Sequence, residues 1–530
     1  MIIQILFLIV FFALMISVGF YYRKKAASVE GFVLGSRGAG PWLTAFAFGT
    51  SYFSAVIFVG YAGQFGWNFG ISSTWIGLGN AFIGSLLPWV ILGRRTRIMT
   101  NHLNSKTMPE FFEARYDSRS LKLWSAMIVF IFLIPYTASL YNGLSRLFSM
   151  AFPGVNYTVC IIIMSLLTCV YVLLGGYMAT AMNDFIQGIF MLGGIIAVIN
   201  AVLNQNGGFS KSVEKLAINS GWRYTSFFGP DFLFLTFVVI LTSLGTWGLP
   251  QMVGKFYAIK DEDSIKKGTV ISSVFAVVVA GGCYFLGGFS RLFAQADPET
   301  GKPMINGAVV SFDRLVPSML ENLGPVLIGI VLVLVLSASM STLSSLVLTS
   351  GSTVTLDLIA PLRKKPISEH GKMLLMRLLI VCFVALSALI AIYQVNAQSG
   401  SSVTFIANLM GVSWGALAGA FIGPFLWGLY LKITTRAAVY VSFVVGVFMS
   451  LIQLIKSLAG FNFGIDFLDN LVFKTSIHSG AFAMILSLIL VPIISMFTKK
   501  QSVERIDEIF SCYKKTVTVK ATDALKLEEE

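Results

Sequence analysis

The sequence predicts an all-α polytopic membrane protein, and three observations carry that prediction. Of 530 residues, 56% are hydrophobic and only 12% are charged. The mean hydropathy of +0.80 leaves no charged skin for a water-soluble domain of this size. The apolar residues fall in long continuous runs, where an outer-membrane barrel would alternate over roughly ten-residue segments. In hydrocarbon every backbone polar group needs an internal partner, so runs of this length are helices.

Runs bounded by charge, Gly or Pro give about thirteen transmembrane helices. In chain order they are α1 (2–22), α2 (41–67), α3 (72–93), α4 (122–150), α5 (155–175), α6 (181–204) and α7 (229–252). They continue with α8 (269–292), α9 (324–358), α10 (371–396), α11 (402–428), α12 (434–457) and α13 (476–497). No basic residue precedes the apolar part of α1, and Arg23, Lys24 and Lys25 follow it. That order fits a retained helix with its N-terminus outside better than a cleaved signal peptide. α9 is long enough to extend past the membrane on the cytoplasmic side.

An odd number of spans puts the termini on opposite sides, and the basic residues test the orientation. The segments 23–37, 94–122, 255–267, 363–377, 432–436 and the tail from Lys499 hold 29 of the 38 Lys and Arg. These become cytoplasmic if the N-terminus is outside, as the positive-inside rule requires. The net charge of +13 then reports topology and not a nucleic-acid partner. An integral plasma- or inner-membrane location with a cytoplasmic C-terminus follows. Two outside segments are sizeable, 205–228 and 293–323, and the second is polar enough to act as a gate or lid. The charged tail is expected to be too short for a catalytic or sensor domain.

Two spans are interrupted. α2 carries Gly49-Thr50-Ser51-Tyr52-Phe53-Ser54-Ala55, and α7 carries Gly245-Thr246-Trp247-Gly248-Leu249-Pro250-Gln251. Pro250 removes a backbone donor, and glycines loosen the turn. A broken helix is tolerated in a bilayer where its freed groups line a cavity or bind something. The breaks lie five spans apart and face opposite ways, which points to an inverted-repeat transporter with its site at midplane. The alternative is that the glycines and the proline merely permit close helix packing.

α9 carries Ser337-Ala338-Ser339-Met340-Ser341-Thr342-Leu343-Ser344-Ser345. At about 100° per residue, Ser341 and Ser345 share one face with Ala338 beside them, flanked by Thr342 and Ser344. Hydroxyls and freed carbonyls suit a hard cation such as sodium, and a neutral cage also releases it. A serine-rich packing seam is the other reading. Asp184, near the start of α6, is a carboxylate at membrane depth, which is by default a functional candidate. It can equally be an interfacial residue favoured by the helix dipole.

The five cysteines show no metal-ligand spacing and no disulfide framework. His102, His370 and His478 lie in loops or at a helix end, and neither zinc-protease nor nucleophile-elbow patterns occur. An enzyme is not expected. A phosphate-binding Gly-Lys-Ser/Thr loop is also missing from the sequence, which disfavours an ATP-driven pump.

Four motifs then carry a resemblance. Gly31 to Arg37 with Gly40-Pro41-Trp42 leads into α2, and Thr107 to Tyr116 follows α3. Gly175-Gly176 through Asp184-Phe185-Ile186-Gln187 forms the α5–α6 turn, and Pro250-Gln251 with Ala258-Ile259-Lys260-Asp261 ends α7. In this order, with the α9 hydroxyls behind them, they resemble the sodium/solute symporter family over about residues 30–430. The family includes bacterial proline, pantothenate, sialic acid and galactose carriers and the animal iodide and monocarboxylate carriers.

The resemblance implies the leucine-transporter fold, with two inverted five-helix repeats. Residues 1–40 would hold the extra helix α1 and a cytoplasmic loop, 41–205 the first repeat (α2–α6) and 206–430 the second (α7–α11). Residues 431–498 would add α12 and α13, with 499–530 as the cytoplasmic tail. It implies a principal sodium site from the Thr50, Phe53 and Ala338 carbonyls and the Ser341 and Thr342 hydroxyls. A second sodium site would use Asp184, Ser344 and Ser345. The solute site would lie near Tyr52, Ser54, Ile57, Tyr136, Trp247 and Trp414.

Galactose carriers place an Asn, a Glu and a Gln where Tyr52, Val56 and Ile57 stand here, so a sugar is disfavoured. The proline carrier has an Asp at the position of Tyr52. Residues 50–56 look more like the animal anion and monocarboxylate carriers. The expectation is a sodium-coupled symporter importing a small carboxylate or amino acid by alternating access. Its partners would be the solute and the lipid bilayer, with no nucleic acid and no obligate protein partner. The alternatives are a proton-coupled carrier using Asp184 and a transporter-like sensor.

Overall fold

The computed structural model describes residues 2–24, 26–152, 154–397 and 405–514. The expected start of α11 at 402 and the end of the tail lie outside the described residues. The chain is built almost entirely of helices. Among the described residues ten helices are long and apolar enough to cross a membrane, or up to eleven when Phe232–Gly248 and Pro250–Tyr257 count as one bent span.

The interior helices are α11 (Phe405–Tyr430) and α9 (Pro325–Thr353), whose most apolar windows are 89% and 78% buried. α1 (Ile2–Tyr22) lies at the rim, with 22% of its window buried. α9 packs against α4 (Arg119–Ala151), α6 and the first half of α2. α11 packs with α12 (Arg436–Ala459) and α13 (Ser476–Phe497).

Sequence punctuation explains the irregular points. α5 and α6 form one helical run, Tyr157–Gln205, turned at Gly176 with φ 54° and ψ −151°. The five-residue connection expected between them is thus a single residue. Only glycine adopts that conformation readily. A Cβ there would also meet Phe32 at 2.9 Å. In α11, Pro424 has no N–H to give the Ala420 carbonyl, and the Ser442 hydroxyl of α12 donates to it at 2.8 Å instead.

α2 runs Pro41–Tyr52, stops, and resumes as a π-helical Val56–Tyr61 and an α-helical Ala62–Phe69. α7 runs Phe232–Gly248, and Pro250–Tyr257 continues at a 44° bend. Leu249 takes the extended conformation that a following proline imposes, φ −76° and ψ 122°. Both interruptions fall where the sequence places them.

At one end of the bundle the segment 293–323 forms a small antiparallel sheet and short helical turns. The strands are β1 (Gln295–Ala296), β2 (Pro303–Ile305) and β3 (Ala308–Val309), in that spatial order. Trp67, near the end of α2, donates from its indole to the Gly301 carbonyl at 3.1 Å. Arg291 donates to the Trp67 carbonyl at 2.7 Å and lies over the rings of Trp67 and Tyr224. The hairpin is therefore fastened to α2. At the opposite end, buried Arg115 donates to the carbonyls of Gly428 and Leu431. A short helix, Val503–Ser511, docks beside it through Arg505 and the Ala114 carbonyl.

Candidate functional site

The break in α2 frees backbone oxygens. In an unbroken helix the Ser51 carbonyl would accept from the amide of residue 55, and the Phe53 carbonyl from that of residue 57. Here the Ala55 amide donates to the Ser339 hydroxyl of α9 at 3.1 Å, and the Ile57 amide to the Ser54 carbonyl at 3.0 Å. Phe53 itself is extended, with φ −87° and ψ 129°. The carbonyls of Ser51 and Phe53 consequently point at α9, each 3.2 Å from the Thr342 hydroxyl oxygen. The Ala338 carbonyl lies 3.1 Å from the same oxygen.

Proton accounting makes this cluster suited to a cation. A hydroxyl carries one proton, so Thr342 can satisfy one of its three carbonyl neighbours. Ser341 donates to the Thr50 hydroxyl at 2.7 Å, and Thr50 in turn donates to the Phe46 carbonyl at 2.7 Å. Neither proton reaches the carbonyl group around Thr342. Two lone-pair-bearing oxygens are left facing a third in a site whose side chains are fully buried. Oxygen-only, neutral and short of protons, the arrangement fits a hard monovalent cation. Thr50, Phe53, Ala338, Ser341 and Thr342 thus come together, with Thr50 contributing its hydroxyl. Ser51, which sequence reasoning did not single out, supplies a carbonyl.

A second polar cluster lies beside it. Asp184 is fully buried, and neither of its oxygens accepts a formed hydrogen bond. Its counter-charge is the Lys255 ammonium, 3.6 Å from Oδ2. Lys255 also donates to the Ser345 hydroxyl at 2.9 Å and lies 5.5 Å from the centre of the Tyr177 ring. The Ser345 and Ser51 hydroxyls share a hydrogen bond at 2.8 Å. Ser344 turns back and donates to the Ser341 carbonyl of its own helix at 2.9 Å. Asp184 and Ser345 are therefore joined through Lys255, while Ser344 stands apart. The charge count along the chain assigns Lys255 to a cytoplasmic loop, and the structure corrects this: the residue is 3% exposed on the second half of α7. The signal in the sequence is a lone cation between Leu249 and Ala258, one turn after a proline break.

Of the six residues expected near the solute, three form one aromatic cluster. The Trp414 ring of α11 lies 5.9 Å from Tyr52 and 6.0 Å from Tyr136, centre to centre. Its indole N–H and the hydroxyls of Tyr52 and Ser54 are buried without a hydrogen-bond partner. Trp414 packs against Gly245 at the α7 break, where any Cβ would meet the ring at 2.5 Å. Ile57 is buried one turn beyond the α2 break, with its carbonyl 3.8 Å from the Cys283 thiol. Trp247 donates its indole N–H to the Ile83 carbonyl of α3 at 2.8 Å, which ties it to that helix.

Known proteins align with this architecture over nearly the whole chain. The profile of the sodium:solute symporter family matches residues 32–446. The osmoregulated proline transporter OpuE of Bacillus subtilis is 27% identical over 93% of this chain and 94% of its own. A sodium/proline symporter of Staphylococcus aureus is 29% identical over 86% of each chain. Among solved structures, a Na+-coupled sialic acid symporter in its outward-open state superposes with a TM-score of 0.72. That match covers 94% of this chain and 98% of the other at 18% identity, which establishes the leucine-transporter fold with its two inverted five-helix repeats. Family match, relatives and fold agree: the chain belongs to the sodium:solute symporter family, and it is a sodium-coupled membrane symporter and not an enzyme.

Proposed function

We propose that the chain imports a small amino acid or carboxylate together with sodium, by alternating access. The sodium ion is held by Thr342 and Ser341 of α9 against the α2 break at Thr50, Ser51 and Phe53, with the Ala338 carbonyl completing the set. The observation that carries this reading is the Thr342 hydroxyl 3.1–3.2 Å from three carbonyls that it cannot all satisfy. Asp184, Ser344 and Ser345 make up a second cation site next to it.

The solute lies against Tyr52, Ser54, Ile57, Tyr136, Trp247 and Trp414, between the two breaks. Unpaired hydroxyl and indole donors together with the N-terminal end of the resumed α2 helix suit a carboxylate. The proline carriers among the relatives support an amino-acid substrate. The lack of a carboxylate at Tyr52 weakens recognition of an ammonium and favours a solute read mainly through its acid group. Residues 41–205 and 206–430 serve as the two repeats, with the N-terminus outside and the C-terminus cytoplasmic.

Uptake by proteoliposomes containing the full chain tests the reading. Labelled proline, small monocarboxylates and a hexose are compared with and without an inward sodium gradient. Sodium-dependent uptake of proline or a monocarboxylate is expected. Hexose uptake would overturn the substrate class. Uptake driven by a pH gradient in sodium-free buffer would overturn the ion assignment.

A further inference from the structure

Lys255 is a buried cation whose position the sodium-coupled reading does not explain. Its stem rises from the second half of α7, Pro250–Tyr257, directly after the bend. Its side chain is 4% exposed, and Asp184 is fully buried. The ammonium reaches α9 through Ser345 at 2.9 Å and α6 through Asp184 at 3.6 Å. Tyr177, at the α5–α6 turn, presents its ring on a third side at 5.5 Å. A narrow crevice of about 50 Å³ runs to Lys255 and Ser345 past Lys106, Thr107 and Gln251. That is room for a water or two.

We propose that Lys255 is the resident cation of the second site, occupying between Asp184 and Ser345 the place of a second sodium ion. The proposal rests on the reading of Asp184, Ser344 and Ser345 as a cation site, and it names the occupant. Three physical points support it. First, a buried carboxylate needs one positive charge, and Lys255 supplies it; a sodium ion added beside the ammonium would leave an uncompensated positive charge in a dry site. Second, Ser345 already accepts from the ammonium and exchanges a hydrogen bond with Ser51, which leaves at most one lone pair of its oxygen for another cation. Third, Ser344 donates to the Ser341 carbonyl of its own helix, and among the described residues its hydroxyl is hydrogen-bonded to neither Asp184 nor Lys255. A tethered ammonium cannot leave with the solute. The carrier therefore moves one sodium ion per turnover, bound at Thr342, while Lys255 holds α7 to α6 and α9 throughout the sodium-binding step.

Equilibrium binding of radiolabelled sodium to the purified full-length protein in lipid nanodiscs tests this. Wild type is expected to bind one ion per chain and Lys255→Met two, the second lost again in Lys255→Met/Asp184→Asn. Lys255→Arg should keep the wild-type count. Equal counts in wild type and Lys255→Met overturn the assignment. Should Lys255→Met fail to fold, Asp184→Asn alone decides: an unchanged count supports a resident ammonium, and a count lower by one overturns it. Thr342→Ala separates the two readings. It should weaken binding of the one ion of wild type about 10- to 100-fold, and an ion bound with wild-type affinity refutes the site at Thr342 without bearing on the difference that Lys255→Met makes.

Discussion

Thr342→Ala isolates the sodium site at the α2 break. The substitution removes the single hydroxyl that faces the carbonyls of Ser51, Phe53 and Ala338, and leaves the backbone of α9 intact. An interaction between a charged group and one hydroxyl is worth roughly 1.5–3 kcal/mol. Each ~1.4 kcal/mol is tenfold in affinity, so half-saturating sodium should rise about 10- to 100-fold. The same number appears in thermal stability. At sodium roughly 100-fold above the wild-type dissociation constant, binding stabilises the fold by about 2.7 kcal/mol; a site ~30-fold weaker retains about 0.9 kcal/mol. The assay is sodium-dependent uptake in proteoliposomes, normalised to carrier number, beside melting curves with and without sodium. Thr342→Ser restores the oxygen and should return both readouts to within a few-fold of wild type. A Thr342→Ala curve that overlays wild type in its sodium dependence, with only maximal uptake reduced, would refute the placement of the ion.

Two further outcomes follow from the fold. Gly176→Ala puts a Cβ at φ 54° and 2.9 Å from Phe32, and should lower the melting temperature and membrane yield by the equivalent of roughly 1–3 kcal/mol; Gly193→Ala, at a helical position of the same run where a Cβ meets nothing within 4 Å, is the comparison. Asp313, in the outer segment 293–323, is buried, and burial pushes its carboxyl up to about 6. A carboxyl raised on folding contributes stability that is present at low pH and lost as pH rises through the folded value. The melting temperature should therefore fall between about pH 4 and pH 6, and Asp313→Asn should flatten that slope; an unchanged slope in the variant assigns the effect elsewhere.

The parts of the site legible in the sequence are those written in residue type. Pro250 and the weak polar stretch from Gly49 to Ala55 announce the two breaks, because a missing amide and a loosened turn are local properties. The hydroxyls of α9 were legible from periodicity alone. What the sequence could not specify was which carbonyls a break releases. That depends on where the amides of Ala55 and Ile57 find substitutes, and Ser339 on another helix supplies one of them. Lys255 was misplaced for a different reason. Counting basic residues assigns sides of the membrane, but a lysine paired with a buried carboxylate, as Lys255 is with Asp184, keeps its charge inside the helix end. The strands of the outer hairpin, two or three residues each, are too short for any alternation to register.

If ion and solute bind as proposed, three consecutive residues at the α2 break account for the coupling between them. The Ser51 and Phe53 carbonyls turn toward Thr342, while the Tyr52 ring between them turns toward Trp414. An ion that draws the two carbonyls to α9 therefore fixes the backbone on which Tyr52 stands. A solute that packs against Tyr52 and Trp414 fixes the same backbone and so pre-forms the ion site. Linkage demands that the two effects be equal in binding free energy. Ser51 extends the argument, because its hydroxyl reaches Ser345 and, through it, Lys255 and Asp184. On the proposed assignment of the two sites, the break is held on one side by a freely exchanging cation and on the other by a tethered one. With only the first able to come and go, the sodium gradient acts on the conformation of the carrier through the carbonyls of residues 51 and 53.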